Sequence, residues 1–202
     1  MVTDLRVLRQ QLRTKRRALS EHEQVHLSQL AVQHLVRHRI FRSAQHIACY
    51  LPNDGELDLS SLISQAWGMG KTVYLPVLST IHRNHLHFLP YRPGDELVPN
   101  RFGIPEPVIH SRRMIDSARL DLVLMPLVGF DSKGNRLGMG GGFYDRTFAY
   151  LRRRRYWHKP SLVGAAYNFQ ALNQLPAKGW DVPLRGVFTE TGVRFFVKGA
   201  GE

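Results

Sequence analysis

Residues 121–145 read DLVLMPLVGFDSKGNRLGMGGGFYD, and this stretch decides the fold class. It opens with a continuous apolar strand at 121–125, which is typical of a parallel strand buried on both faces. Residues 126–131 follow, then a glycine-rich turn, and we predict a helix that begins near Gly142 and carries Phe148 and Leu151 inward. A strand, a glycine turn and a helix in this order indicate the unit from which α/β folds are built.

The flanking sequence continues the alternation of strands and helices. Apolar spacing predicts helices over 5–19, 21–35 and 59–67, and a capping box of Ser20 and Glu23 marks the start of the second. Further strands are predicted at 46–51, 72–77, 85–89, 162–166, 187–189 and 193–197. The stretch 91–107, with four prolines and two glycines, is predicted to be loop. We therefore expect a single α/β domain over residues 1–202, with a largely parallel central sheet flanked by helices on both faces.

The predicted N-terminal helix is amphipathic and basic. One face is apolar, with Leu5, Leu8, Leu12 and Leu19. Six cations occupy much of the remainder: Arg6, Arg9, Arg13, Lys15, Arg16 and Arg17. In the whole chain 28 Lys and Arg face 16 Asp and Glu, giving a formal net charge of +12. An excess of this size favours anionic ligands, such as nucleic acid, phosphates or a polyanionic substrate.

The composition excludes several classes of protein. With 202 residues, 43% hydrophobic and 22% charged, the chain can bury its own core and is not a disordered, collagenous or coiled-coil protein. The single cysteine, Cys49, excludes an intramolecular disulfide and a multi-cysteine zinc site, and it fits a reducing compartment. No signal peptide is evident, and the longest uncharged apolar stretch, 122–130, is too short to span a bilayer. We therefore expect a cytoplasmic protein.

The glycine-rich turn at 134–142 has the composition of an anion-binding loop. Glycine lets backbone N–H groups approach a ligand closely, and N–H groups at a helix N-terminus favour anions. Arg136 adds a planar positive fork for phosphate oxygens, while Asp131 and Asp145 are carboxylates that suit a hard divalent cation. A purely structural turn before a capped helix is the alternative. The turn is neither a Walker A loop nor a dinucleotide fingerprint, because no Gly-Lys-Ser/Thr ends it and its glycine spacing differs.

Several motifs together resemble one known family. The most specific is GNRLGMGGGFYDR at 134–146, preceded by MPLVGFD at 125–131. Weaker agreement comes from RALS at 17–20, the turn at 51–58, GIPEP at 103–107, Pro176 and WDVP at 180–183. On these motifs, which cover nearly the whole chain in order, the sequence resembles the 5-formyltetrahydrofolate cyclo-ligase family. The specificity of the glycine motif favours a functional loop over a structural turn.

The resemblance implies an activity and a set of site residues. The family converts 5-formyltetrahydrofolate and ATP to 5,10-methenyltetrahydrofolate, ADP and phosphate, with magnesium. The implied catalytic residues are Arg136 and Tyr144, and the implied magnesium ligands are Asp145 and Asp181. The implied ATP-binding residues are Arg6, Arg9, Gly134, Arg136, Leu137, Gly138, Met139, Gly140, Gly141, Gly142, Phe143 and Tyr144. The implied folate-binding residues are Leu51 and Glu56, at the pterin end, with Met139, Gly140, Gly141, Gly142 and Phe143.

Two features depart from the family's pattern. A lysine is frequent where this chain has Leu5, and Arg6 is the candidate substitute on a different face of the helix. Some members carry basic residues in the glycine loop, where this chain has Met139 and Gly141. Neutralisation of the phosphates is therefore expected to depend more on Arg9 and Arg136.

Two other classes of function stay open on the sequence alone. The basic helix and the arginine run at 152–155 suit a nucleic-acid-binding module, although no known nucleic-acid motif is present. A different ATP-dependent small-molecule ligase or kinase would keep the phosphate loop and change the substrate. Taken singly, Glu56 suits a solvated loop acid, Asp181 a turn cap and Asp131 a loop brace. The ligase interpretation predicts a monomer whose partners are ATP and folate, polyglutamylated folate included, with no nucleic acid and no membrane.

Overall fold

The computed structural model describes residues 4–108, 114–153 and 159–196. Its α-helices are α1 (Leu5–Arg17), α2 (Glu21–Arg37), α3 (Arg39–Arg42), α4 (Ser60–Gly68) and α5 (Phe143–Thr147). Its strands are β1 (His46–Ala48), β2 (Thr72–Leu78), β3 (Leu86–Tyr91), β4 (Leu97–Pro99), β5 (Pro105–Pro107), β6 (Leu122–Pro126), β7 (Gly129–Asp131), β8 (Arg136–Leu137), β9 (Ser161–Ala165), β10 (Ala171–Leu172), β11 (Gly186–Thr189) and β12 (Gly192–Phe195). Short 3₁₀ helices lie at Ser117–Arg119, Ala149–Arg153 and Asn168–Gln170.

The central sheet has seven strands in the order β12-β11-β9-β6-β1-β2-β3. Its five inner strands are parallel, with Ile47 of β1 opposite both Val73 and Leu122, whereas β3 and β12 pair antiparallel at the two edges. The predicted α/β fold with a largely parallel sheet is confirmed. Parallel inner strands need both faces covered, which explains the continuous apolar run of β6.

Alternate residues of each inner strand pack on opposite faces of the sheet. On one face Ile47, Leu124 and Val163 join a core with α2 and α4. On the other face Ala48, Met125 and Leu162 join a second core, which includes Phe148 after α5. Each fully buried Ile, Leu, Val, Met or Phe side chain contributes about 1.5–3 kcal/mol, so the two cores stabilise the strands whose ends carry the loops.

A second, three-stranded sheet in the order β10-β7-β8 carries α1 and positions the glycine-rich turn. Leu12 of α1 packs with Val128, Leu137 and Leu175, and Leu5 and Leu8 lie against the same cluster. At Gly129 an added Cβ would lie 3.1 Å from Leu12 Cδ1, so helix and strand are in close contact. This packing places the basic helix beside the segment that follows β8.

Two sequence predictions need correction, and two concern segments that extend beyond the residues that the structure describes. The stretch 91–107 is not all loop, because β4 and β5 form a two-stranded antiparallel sheet within it. The helix after Gly142 begins as predicted but has five residues only. The last residue of the predicted strand 193–197, and positions 154 and 155 of the arginine run, lie outside the described residues. Among the described helices, none is both long and apolar enough to cross a membrane.

Candidate active site

The glycine loop, residues 138–142, leaves β8 and enters α5. At Gly138 and Gly140 an added Cβ would meet nothing within 4 Å, so both positions border open space. Gly140 has a φ of 99° and Gly142 one of 65°, a region that residues with a Cβ rarely adopt. Among the described residues, none accepts a hydrogen bond from the backbone N–H groups of 138–142. The loop therefore offers free N–H donors to an anionic ligand.

Arg9 of α1 contacts the start of the glycine loop. Its Nε donates to Gly138 O at 2.8 Å, and its Nη1 donates to Leu5 O at 3.5 Å. Arg6 is exposed, and within the described part of the chain its side chain makes no hydrogen bond or ion pair. The structure thus brings Arg9, but not Arg6, into contact with the loop.

Arg136 and Asp145, one predicted to meet phosphate and the other to bind magnesium, form an ion pair with each other. The Arg136 side chain is only 8% exposed, and its guanidinium also donates to Val182 O. Asp145 Oδ1 accepts a second hydrogen bond from Val182 N at 3.1 Å. Through these hydrogen bonds to Val182, the ion pair links the segment that contains Asp181 to the beginning of α5.

Asp145 and Asp181, the two predicted magnesium ligands, each have one carboxylate oxygen that accepts hydrogen bonds. The described residues contain no group of three or more His, Cys, Asp or Glu that could hold a metal ion. Both hydrogen bonds of the Asp145 carboxylate use Oδ1, which leaves Oδ2 without one among the described residues. Asp181 Oδ2 accepts from Lys178 N at 2.8 Å. Asp181 therefore makes the turn-cap hydrogen bond that its position suggested. Carboxylates are the ligand type that Mg²⁺ uses together with waters and substrate phosphates, so the donor type suits Mg²⁺, whereas an all-protein cage is not formed by the described residues.

Glu56 lies in the turn after β1, with its side chain 13% exposed. Its Oε2 accepts from Asn53 N at 3.2 Å, and its Oε1 lies 3.8 Å from Arg16 Nη1. Burial raises the pKa of Glu56 to about 7, although the nearby Arg16 charge acts in the opposite direction. Leu51, at the start of the same turn, is half-buried against the core under α2 and α4. A carboxylate in this setting is not the solvated loop acid that its position alone would suggest.

Tyr144, in the first turn of α5, closely follows the glycine loop and lies within electrostatic reach of Glu56. Its ring stacks on Phe148 with centroids 6.4 Å apart. Burial raises the pKa of the Tyr144 hydroxyl, and the negative charge of Glu56 raises it further. The hydroxyl therefore stays protonated at neutral pH and can donate a hydrogen bond. Beside it, Phe143 meets the exposed Phe102 edge to face at 5.9 Å, and Met139 in the loop is 54% exposed.

Gly134 and Leu137, both predicted to bind ATP, occupy packing positions before the loop. A Cβ on Gly134 would lie 2.8 Å from Leu184 O, and Leu137 is buried against α1. Asp131 is buried and accepts hydrogen bonds from Asn135 N, Asn135 Nδ2 and Leu175 N, each at 2.9 Å, and from Lys133 N. Asp131 is therefore the loop brace that the sequence suggested.

Sequence reasoning missed the contact of α1 with Asp54. Arg16 was expected on the polar remainder of the helix, but it is 1% exposed and donates to Asp54 Oδ2 and Asp54 O, both at 2.8 Å. The prediction was wrong because the partner lies 38 residues away in the chain. One signal was present: Arg16 stands four residues after Leu12 and three before Leu19, which places it on the apolar face.

The parallel sheet defines an α/β protein, and the loop of free N–H donors beside an arginine, two carboxylates and a tyrosine has donor groups of the kind that suit an anionic ligand. A model of the 5-formyltetrahydrofolate cyclo-ligase family matches residues 2–190. The chain therefore belongs to that family, whose members are ligases.

Similar proteins agree with this assignment. The chain is 42% identical over 182 residues to 5-formyltetrahydrofolate cyclo-ligase of Escherichia coli, with 90% of this chain and 98% of that protein covered. It is also 42% identical over 185 residues to the same enzyme of Haemophilus influenzae, with 87% and 94% covered. The solved structure of Aquifex aeolicus 5,10-methenyltetrahydrofolate synthetase matches with a TM-score of 0.79 at 33% identity, covering 98% of this chain and 94% of that one. The family, its relatives and this structural neighbour support a cyclo-ligase activity acting on a folate.

Proposed function

We propose that the protein catalyses the ATP- and Mg²⁺-dependent cyclisation of 5-formyltetrahydrofolate to 5,10-methenyltetrahydrofolate, with release of ADP and phosphate. One observation carries the proposal: the free N–H donors of the glycine loop, contacted by Arg9, lie beside Tyr144, which is within electrostatic reach of Glu56. The first element suits the phosphates of ATP. The second suits a pterin ring, because a carboxylate accepts hydrogen bonds from neighbouring N–H donors.

The chemistry explains why ATP is required. An N-formyl group is an amide, so its carbon is a poor electrophile and its oxygen a poor leaving group. Attack of that oxygen on the γ-phosphorus forms an O–P bond and breaks the bond to ADP. N10 of the same substrate then attacks the activated carbon, phosphate departs with the formyl oxygen, and N10 loses its proton. The nucleophile belongs to the substrate, so the enzyme contributes positioning and charge stabilisation.

The residues of the site take complementary roles in this scheme. Arg9 and the N–H groups of the glycine loop meet the negative charge on the phosphates. The Tyr144 hydroxyl donates a hydrogen bond at the junction between the phosphate and pterin sides, while Glu56 and Leu51 receive the pterin. Arg136 orients Asp145 through Oδ1, and its positive charge acts on the phosphate side of the site.

Magnesium would be held by Asp145 Oδ2 and by Asp181, together with oxygens of ATP. When bound, it supplies positive charge that offsets the charge on the transferring phosphoryl group. Arg136 favours this role because its ion pair with Asp145 fixes the orientation of the carboxylate.

The remaining expectations follow from the same proposal. We propose a single-domain, monomeric enzyme of the cytoplasm that accepts polyglutamylated folates. The formal net charge of +12 supports a polyanionic substrate. Membership of the cyclo-ligase family favours this function over a nucleic-acid-binding module and over a kinase acting on another substrate.

An absorbance assay tests the proposal directly. Purified protein is mixed with 5-formyltetrahydrofolate, ATP and Mg²⁺, and the near-ultraviolet band of the methenyl product is followed. We expect the band to grow only in the complete mixture, with no growth when ATP or Mg²⁺ is omitted. A flat trace from folded protein that binds ATP would contradict the proposal and favour a different substrate.

A further inference from the structure

Three arginines of α1 converge on one carboxylate, Asp54. Arg13 Nε lies 2.8 Å from Asp54 Oδ2, Arg16 Nη2 lies 2.8 Å from the same oxygen, and Arg17 Nε donates to Oδ1. Arg16 Nε also donates to the Asp54 carbonyl oxygen at 2.8 Å. We call these four residues the Asp54 clamp. Charge-assisted hydrogen bonds of this kind are about twice as strong as neutral ones.

The Asp54 clamp fixes a turn that is left-handed at two consecutive positions. Asp54 has a φ of 56° and Gly55 one of 73°. A Cβ on Gly55 would lie 3.2 Å from Arg16 O, so the turn rests directly on α1. Glu56 follows immediately, and its position therefore depends on how firmly the turn is held against the helix.

The same helix reaches the glycine loop. Arg9, seven residues before Arg16, donates to Gly138 O, while Arg16 Nη1 donates to Leu127 O at 3.3 Å. Helix α1 thus contacts the phosphate side through Arg9 and the turn carrying Glu56 through the Asp54 clamp. Nothing in the proposed chemistry assigns a role to Asp54 itself.

Asp54 remains ionised across the neutral range. Burial raises its pKa, but the hydrogen bonds from Arg13, Arg17 and Arg16 outweigh burial and lower the pKa to about 2. Asn tolerates the left-handed region as well as Asp does, so Asp54→Asn removes the charge and keeps the backbone conformation.

We propose that Asp54 is a positioning residue: by binding three arginines of α1 it holds Glu56 in the place where the pterin end of the folate is received. The inference rests on the proposed function, since it concerns the folate side of that site. The inference predicts an effect on folate binding and not on ATP binding, because Asp54 belongs to the turn that carries Glu56 and, within the described residues, has no hydrogen bond or ion pair with the loop that meets ATP.

Steady-state kinetics of Asp54→Asn in the full chain test this inference. We expect the KM for 5-formyltetrahydrofolate to rise about tenfold, because Glu56 is held less firmly against the pterin, with kcat and the KM for ATP changed less than about twofold. Asp116→Asn is the control for the same chemical change elsewhere: Asp116 lies in a different, exposed turn, and its Oδ1 accepts a hydrogen bond from Ala118 N at 2.9 Å. The control is expected to match the unmodified protein.

The pH dependence of kcat/KM for folate is a second measurement, and it would not change if Asp54 only stabilised the fold. The charge of Asp54 raises the pKa of Glu56, so Asp54→Asn is expected to shift the acid limb of kcat/KM for folate to lower pH. The charged and titratable groups that act on Glu56 are Arg13 and Arg16 of α1, Asp54, Tyr50 after β1 and Tyr144 of α5. The other four groups are unchanged in this variant.

The outcomes separate this inference from the proposed function. Inactivity of the unmodified protein contradicts the proposed function. Activity in that protein together with an unchanged folate KM in folded Asp54→Asn overturns the inference, as do equal rises in both KM values. If Asp54→Asn does not fold, the folate KM of the double variant Arg13→Gln/Arg17→Gln tests the inference instead. Both arginine side chains reach solvent, so their replacement leaves the buried core intact. A rise of about threefold in the folate KM supports the inference, and no change overturns it.

Discussion

Substitution of Glu56 by glutamine changes how the stability of the protein depends on pH. The pKa of Glu56 is about 7 in the folded protein against an ordinary 4.5, mainly because burial disfavours the charged form. A carboxyl whose pKa is raised on folding favours the folded state at acid pH. That contribution is lost as the pH rises from 4.5 to about 7. Above about pH 7, the ionised Glu56 therefore lowers the free energy of unfolding of the unmodified protein, and Glu56→Gln removes this effect.

The size of the effect follows from the two pKa values. Between about pH 5 and about pH 8, a shift from 4.5 to about 7 corresponds to a loss of about 2–3 kcal/mol in the free energy of unfolding. Gln resembles the protonated carboxyl, so the two proteins should have similar stabilities at the lower pH. At the higher pH Glu56→Gln should be the more stable by about that amount.

Urea unfolding at the two pH values measures the difference. The free energy of unfolding is obtained for both proteins at each pH, and the change with pH is compared, so that contributions common to both proteins cancel. The same variant should bind folate more weakly, because the pterin loses a charged acceptor. An identical change of stability with pH in both proteins would refute the burial of an ionisable Glu56.

Three further substitutions test the phosphate side. Arg136→Ala should abolish most turnover and also lower the melting temperature, because Asp145 and Val182 O lose their partner; circular dichroism and the absorbance assay check this. Arg9→Gln should raise the KM for ATP about tenfold in steady-state kinetics, with the folate KM unchanged, through loss of the hydrogen bond to Gly138 O. Gly140→Val should impair ATP binding measured by calorimetry, since a φ of 99° strains a β-branched residue by about 1–3 kcal/mol.

Much of the fold was predictable because its signals are local. The apolar run of β6 requires burial on both faces, and the glycines at 140 and 142 adopt positive φ values that explain why glycine stands there. The hairpin of β4 and β5 was missed because three of its six residues are proline, which breaks the usual strand pattern. Proline is tolerated here because the pair forms a separate two-stranded sheet outside the central one.

The sequence named candidate site residues, but it did not show the contacts among them. Arg136 and Asp145 stand nine residues apart in one motif, which does not show that they pair with each other. The hydrogen bond of Arg9 to Gly138 O joins residues 129 positions apart. The burial of Arg16 depends on Asp54, whose role emerges only when the turn folds against α1. Long-range pairing of charges is therefore the part that the residue pattern alone does not contain.

An isotope experiment tests the central claim, phosphorylation of the formyl oxygen, most directly. 5-Formyltetrahydrofolate labelled with ¹⁸O in the formyl group is converted with unlabelled ATP in ordinary water, and the released phosphate is analysed by mass spectrometry. The account predicts one ¹⁸O atom in each phosphate, because that oxygen leaves the carbon bonded to phosphorus. Phosphate without the label, alongside formation of the methenyl product, would contradict the account.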